Sequence, residues 1–539
     1  MLFGIAWIVD RRGLSARLQR IAYPLSMAVY CSSWTFFGGV GTAATRGWDY
    51  LAIYLGPALV FLLAPKFLAR LVRLAREEGS SSISDFISAR YGRSRGTAAI
   101  VAGTALLASV PYIALQLRSV TLSFGAIAGV GSSAEVGTFV ALLLAVFAIV
   151  FGARRYEVAG RNPGVVAAIA AESLIKLVCF VVLGVVTVAL LADVPAETLA
   201  PPVARLRSGF TWGTLTSDFW VRTLLSALAI LCLPRQFYVG VIEAQGPESV
   251  ARARAPFIAY MVVISLLVLP LALAGMTLLP DGAEPDLYVL AVPLQQGHHL
   301  VALLAFLGGF SAATAMVVVE TIALSTMATN DLLAPLLLRR HGEAGEGELG
   351  RRMLRVRRVI IAAIVAVALV YGRSLGADLP LASIGLIAFA GVAQFAPALI
   401  ASVGWNFANH TAARAGLVGG VIVWIYCLLL PSIGEGVGPA LAQFTRGWLD
   451  PDALLGWRIG SPLVNGTVWS LGVNVALMAG LHLRERHRGT LRSITSRLWA
   501  NCGCWSRGSS AMARRRRSGW RRRTCARRST GLPRALPSG

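Results

Sequence analysis

Four ionisable side chains, Arg118, Glu172, Lys176 and Glu320, stand inside long apolar runs of this chain. If those runs cross a bilayer, each charge near its middle costs about 2.5–3.5 kcal/mol, so each demands a partner or a wet cavity. Arg118 closes the string Pro111-Tyr-Ile-Ala-Leu-Gln-Leu-Arg118, which also holds Gln116. It reads either as a cavity-lining group that meets a substrate or a gating carboxylate, or as half of an interhelical ion pair. Glu172 and Lys176 are four residues apart with the acid first, the order that suits a pair on one helix face and local neutralisation. Glu320 follows Met316-Val-Val-Val with no basic neighbour on its own segment, so it is either paired across helices or free to titrate and move a proton. A second cluster is Tyr30-Cys-Ser-Ser-Trp-Thr-Phe-Phe-Gly-Gly-Val-Gly41. Ser32 and Ser33 followed by Gly38, Gly39 and Gly41 mark a helix that unwinds cheaply, and unwound backbone can coordinate an ion or a zwitterion. The competing reading is a small-residue packing face. Trp34 would supply an apolar or cation-facing wall. Enzyme chemistry is not visible, since nucleophile–base pairs, metal-ligand clusters and phosphate loops are all missing. The adjacent His298 and His299 do not share a helix face, and Cys502-Gly-Cys504 lacks a second pair for zinc.

The elements that must position these residues follow from composition. Of 539 residues, 56% are hydrophobic and only 14% charged, with a mean hydropathy of +0.67. Water-soluble domains carry roughly a quarter charged residues, so this supply cannot coat them, and a multi-pass membrane protein remains. The seven cysteines form no disulfide framework. Apolar stretches long enough to span occur at 21–41, 50–74, 97–128, 136–153, 163–193, 219–240, 256–279, 299–333, 357–372, 379–403, 414–432 and 465–483. Met1–Val9 reads as the end of a further helix rather than a signal peptide, because its basic residues follow the apolar run. Alternate loops carry 25 and 6 basic residues respectively, which puts Arg11, Arg12 and the C-terminal tail in the cytoplasm of a bacterial inner-membrane protein. The net charge of +24 is mostly a property of residues 484–539, which hold 16 arginines and one acid. Such a tail is attracted to anionic membrane lipid rather than to nucleic acid. The expected division is therefore a transmembrane domain over 1–485 and a basic, disordered tail over 486–539, the latter also readable as out-of-frame translation after a frameshift.

The strings Ser82-Ile-Ser-Asp-Phe-Ile-Ser-Ala-Arg-Tyr-Gly92, Leu233-Pro-Arg-Gln-Phe-Tyr238 and Ala323-Leu-Ser-Thr-Met-Ala-Thr-Asn-Asp331 resemble the sodium:solute symporter family. More narrowly, they resemble the symporter-like module that opens CbrA-type bacterial sensor histidine kinases. The resemblance covers about residues 1–485. It implies an all-α LeuT-type fold of 12–13 transmembrane helices with two inverted five-helix repeats, 21–41 to 163–193 and 219–240 to 379–403. A small polar solute, an amino acid among the candidates, would bind near the midplane where the first helices of the repeats unwind.

The resemblance also implies a coupling ion, Na+ or H+, and no other cofactor. The family's sodium site maps to the carbonyls of Ala28 and Cys31, a carbonyl near Ala312 and two hydroxyls on 299–333. The register puts Ala315 and Met316 at the hydroxyl positions, with Ser311 and Thr314 close but out of step. A hard cation takes oxygen ligands, and this register supplies fewer. Ser32 matches a family serine. Ser32, Ser33, Trp34, Gln116, Arg118 and Glu320 are thus the expected cavity residues. A kinase would continue with a phosphoacceptor-histidine helix and a nucleotide-binding domain, and no motif of either follows Leu483. The expected role is alternating-access transport, the alternative being a solute-sensing input module.

Overall fold

The computed structural model describes residues 2–13, 15–129, 134–152, 162–333, 346–375, 380–405, 409–434, 440, 443 and 448–503. Helices dominate. In chain order the first are α1 (Leu2–Arg12), α2 (Ala16–Met27), α3 (Gly39–Arg46), α4 (Ala52–Leu63), α5 (Pro65–Glu77) and α6 (Ile83–Arg90). They are followed by α7 (Arg95–Ala128), α8 (Ala134–Gly152), α9 (Pro163–Ala192), α10 (Ala196–Ser208) and α11 (Ser217–Cys232). Next come α12 (Pro234–Phe237), α13 (Pro247–Leu278), α14 (Tyr288–Gln295), α15 (His299–Met327) and α16 (Glu346–Ser374). The last are α17 (Leu381–Val392), α18 (Ala396–Gly404), α19 (His410–Trp424), α20 (Leu430–Ser432) and α21 (Pro462–Gly503). Among the described residues, the only strands are a two-residue pair, Leu449–Asp450 antiparallel to Ala453–Leu454.

Among the described residues, seven segments are apolar and long enough to cross a membrane, or up to nine if each of two bent pairs is one span. The other three expected spans are helical too. α8 is a shorter apolar helix, α16 begins with an arginine-rich end, and 21–41 is split into α2 and α3. Large apolar side chains stay exposed along the helices, Leu300, Val359, Val185 and Leu266 among them, as lipid-facing positions must. α1 packs against α9. α21 runs on as helix to Gly503, past the boundary expected at 485, and the tail from 504 onward lies outside the described residues.

Interruptions in the helices carry most of the architecture. α4 and α5 meet at 80° across Ala64–Pro65, and α11 meets the following segment at 53° across Leu233–Pro234. Proline supplies no N–H and its ring excludes a straight continuation, which accounts for both bends. The first span breaks differently. A 3-10 turn over Ala28–Tyr30 ends at Cys31 in extended backbone, and a π-helical turn, Trp34–Gly38, precedes α3. The chain therefore unwinds at Cys31–Ser32, ahead of the glycines, and both readings of the segment hold in part. Those glycines pack instead: a Cβ at Gly39 would sit 2.7 Å from the Tyr54 hydroxyl oxygen, and one at Gly41 would collide with Asp286. The break at Cys31–Ser32 and the bend at Leu233–Pro234 each fall in the first helix of a repeat, whereas the bend at Ala64–Pro65 falls in the second helix of the first repeat.

α6 lies across one end of the bundle. Ser82 caps it by accepting from Asp85 N–H at 3.1 Å, while Asp85 accepts from Ser81 N–H at 2.9 Å. Ser84 Oγ donates to Asp331, Tyr91 OH donates to the Ala398 carbonyl at 2.9 Å, and Arg90 donates to the Ser402 carbonyl at 3.1 Å. Two of the family-like strings, those of Ser82 and Asp331, thus touch through side chains 247 residues apart.

Candidate functional site

The two helix breaks leave backbone and side-chain polar groups in the interior, and α7, α9 and α15 bring partners to them. Ser32 and Ser33 are buried at the first break. Ser32 Oγ lies 3.0 Å from the Tyr112 hydroxyl, and Ser33 donates to Gln116 Oε1 from Oγ at 2.7 Å and from N–H at 3.2 Å. Tyr112 and Gln116 share one face of α7 because four residues make about one turn. At the second break Arg235 points inward with no exposed surface. Its Nη2 donates to the Tyr112 hydroxyl at 3.0 Å, its guanidinium carbon stands 4.5 Å from the centre of the Tyr112 ring, and its Nη1 lies 3.4 Å from Glu320 Oε2. Glu320 Oε1 accepts from Ser109 at 2.6 Å. Ser32, Tyr112, Arg235, Glu320 and Ser109 therefore form one continuous dry network joining both breaks to α7 and α15. Burying a charged pair without water costs several kcal/mol per ion, which is sustainable only with such added hydrogen bonds.

Among the described residues, the buried polar atoms without a hydrogen-bond partner include Trp34 Nε1, Gln116 Nε2, Gln236 Oε1 and Arg235 Nε. Trp34 packs against Phe389 at 5.0 Å and edge-on to Tyr112 at 6.4 Å between ring centres. Orphaned donors and acceptors next to an aromatic wall are groups a polar ligand would satisfy.

The sequence expectations sort clearly against this geometry. Ser32, Ser33, Trp34, Gln116 and Glu320 are brought together, and Glu320 is paired across helices. Arg118 is not with them. It lies two residues past Gln116, about 200° further round the helix, and lines a separate cavity of about 270 Å³ with Thr121, Gly137 and Gly372. Arg235 was missed as an interior residue: the loop count takes it as one of the 25 basic positions, whereas it is fully buried. Its signal was available, because it directly follows a proline within an apolar span.

Of the expected ion ligands, the carbonyls of Ala28 and Cys31 do converge, and they converge on Lys176. Its Nζ donates to Cys31 O at 2.6 Å and Ala28 O at 3.3 Å, with Glu172 Oε1 3.2 Å away. Ala312 is buried on α15, Ser311 is half-buried, and Thr314 Oγ1 donates back to the Phe310 carbonyl at 2.7 Å.

Away from the network, in the connection between α13 and α15, Asp286 accepts from Leu381 N–H at 3.1 Å. Burial raises its carboxyl from 3.8 to about 6, and the Leu381 bond works in the opposite direction.

Comparison with known proteins agrees with this geometry. Residues 16–154 match the sodium:solute symporter family. An "uncharacterized symporter", YodF of Bacillus subtilis (strain 168), is 24% identical over 410 residues, covering 73% of this chain and 76% of the relative. The solved structure of a substrate-bound, outward-open Na+-coupled sialic acid symporter overlays with a TM-score of 0.60 at 14% identity, over 86% of this chain and 89% of that one. With both repeat-initiating helices broken at mid-bundle and this overlay, the chain has the LeuT-type fold, and its first quarter is similar to the sodium:solute symporter family.

Proposed function

We propose that the protein carries a small polar solute with a carboxylate, of the amino-acid class, across the bilayer by alternating access. The observation that supports this reading most is the dry Arg235–Glu320 pair at the junction of the two broken helices. Arg235 is a planar donor suited to a carboxylate, and Glu320 stands where such a group would bind. Solute entry would exchange one carboxylate partner for another, while Gln116 Nε2, Gln236 Oε1 and Trp34 Nε1 take up the solute's remaining polar atoms. Ser32 and Ser33 line the same chamber from the unwound backbone. Similarity to YodF, named a symporter, and the overlay on a sialic acid symporter support transport of a small solute. The driving ion is one of two, sodium, as in the Na+-coupled neighbour, or a proton, and the uptake gradients below separate them.

The test is uptake of labelled amino acids into proteoliposomes under sodium, proton and no-ion gradients. Flux that saturates, and that competing carboxylates but not the corresponding amides suppress, is the expected result. Saturable binding with no flux under any gradient would reject transport and leave solute sensing. Equal competition by amides would reject the role given to Arg235.

A further inference from the structure

The break in the first span ends in two carbonyls that a LeuT-type sodium site would use, those of Ala28 and Cys31. They are already coordinated. Lys176 reaches them from α9, donating at 3.3 and 2.6 Å, and the ammonium is 1% exposed. Its charge is met by Glu172 one turn earlier on the same helix, itself fully buried. An ammonium has three donors, and these three oxygens form its surroundings. On α15 the family register assigns the two hydroxyl positions to Ala315 and Met316, which are buried and carry no side-chain oxygen. Thr314 spends its hydroxyl proton on its own helix. The residues present do not fit a sodium ion: a hard cation would find too few oxygens and would press against a fixed positive charge on the same carbonyls.

We propose that Lys176 is a built-in cation that takes the place of sodium at this break, so that the protein neither binds nor requires sodium. The side chain holds the unwound segment against α9 as an ion would hold it, but it is tethered and does not dissociate during a cycle. Glu172 is a positioning residue, which fixes the ammonium and keeps the pair neutral in a dry interior. This inference rests on the fold and not on the solute assigned above. Its readout is ion binding, so it can fail while solute transport stands, and the reverse.

The experiment uses the full chain in detergent. Thermal midpoints are recorded while sodium chloride replaces choline chloride at constant ionic strength, together with equilibrium binding of radioactive sodium. The wild type is expected to show the same midpoint in both salts and no saturable sodium binding. Lys176→Ala removes the ammonium and leaves two carbonyls and a carboxylate around a cation-sized gap. It is expected to gain a sodium-specific rise of about 3 °C once sodium is a hundredfold above its dissociation constant. The doubly neutral variant Glu172→Gln/Lys176→Met is expected to fold and to ignore sodium. Saturable sodium binding by the wild type would overturn the proposal, and that measurement decides the matter even if Lys176→Ala does not fold. A folded Lys176→Ala that gains no sodium response would overturn it too, because the carbonyl pair would then not be a cation site.

Discussion

Removing Glu320 alone should damage the protein more than removing Glu320 and Arg235 together. Neither side chain of this pair is exposed, and the closest approach, 3.4 Å, involves one nitrogen and one oxygen and not a two-pronged fork. Such a pair gains little net stability over apolar side chains of equal volume, whereas stripping one partner strands a buried charge at a cost of about 3–5 kcal/mol. The unit of residues 1–482 has an unfolding entropy that converts this to about 1 °C per kcal/mol, so Glu320→Ala should lower the thermal midpoint by about 3–5 °C. Arg235→Met should do the same, because it leaves the carboxylate with only Ser109. Arg235→Met/Glu320→Leu should lie within about 2 °C of wild type and still fail to take up solute. Thermal midpoints of the purified proteins, read by tryptophan fluorescence, complete the cycle. If the two single losses simply add in the double variant, or if each single variant melts like wild type, the pair is not a buried, mutually dependent unit, and the chamber built around it fails.

Further outcomes follow from the same geometry. Asp286 has its carboxyl raised from 3.8 to about 6 by burial, so its stabilising contribution is fully present below pH 3.8 and is lost as pH rises through 6. Asp286→Asn, which mimics the protonated form and still accepts from Leu381 N–H, should flatten midpoint-against-pH curves between about pH 4 and 6, the window set by the two carboxyl values. At pH 8 it should exceed wild type by up to about 3 kcal/mol. A curve parallel to wild type would refute that assignment. Gly41→Ala places a Cβ against the Asp286 carboxylate and backbone, and should cost about 1–3 kcal/mol in the same melt, while Gly103→Ala, with open space around it, should cost nothing measurable. Ser33→Ala removes one donor to Gln116 but keeps the other from the backbone. It should fold normally and weaken solute affinity about five- to tenfold in the uptake assay, and unchanged affinity would take Ser33 out of the chamber. Single cysteines at Glu78 and Asp281 should label from opposite faces of the membrane with an impermeant thiol reagent, and labelling from the same face would break the assigned topology.

The spans were legible because lipid demands some twenty apolar residues per crossing, a requirement written locally. The loop charges supply an expected sidedness, and Arg235 shows where that reasoning fails: charge alone does not distinguish a cytoplasmic arginine from one folded inward past a proline. Ser32, Ser33, Gln116 and Glu320 were readable as interior groups because each violates the apolar pattern around it. Their partners were not readable. Tyr112 and Arg235 meet across 123 residues and Arg235 and Glu320 across 85, distances at which no periodicity carries information. Lys176 shows both limits. Its spacing to Glu172 announced a local pair, which is present, and concealed that the long side chain also reaches the backbone of α2's successor turn 145 residues earlier. Glycine misled for a different reason. Gly38, Gly39 and Gly41 permit unwinding, but the close approach of Tyr54 and Asp286 uses their missing side chains instead.

α6 fastens three places that belong to different parts of the chain: Asp331 beyond the end of α15, Ala398 within α18, and Ser402 near its close. A crossbar of eight residues therefore stitches the second repeat to the first at one rim of the bundle. If the proposed carrier opens at that rim, α18 would first have to give up its carbonyl bonds to Tyr91 and Arg90. The linkers at Gly79 and Gly92, both in left-handed backbone, are the natural axles on which the bar would have to turn. For the proposed carrier, the bonds that would have to break at that rim share one short helix and its cap and would part together.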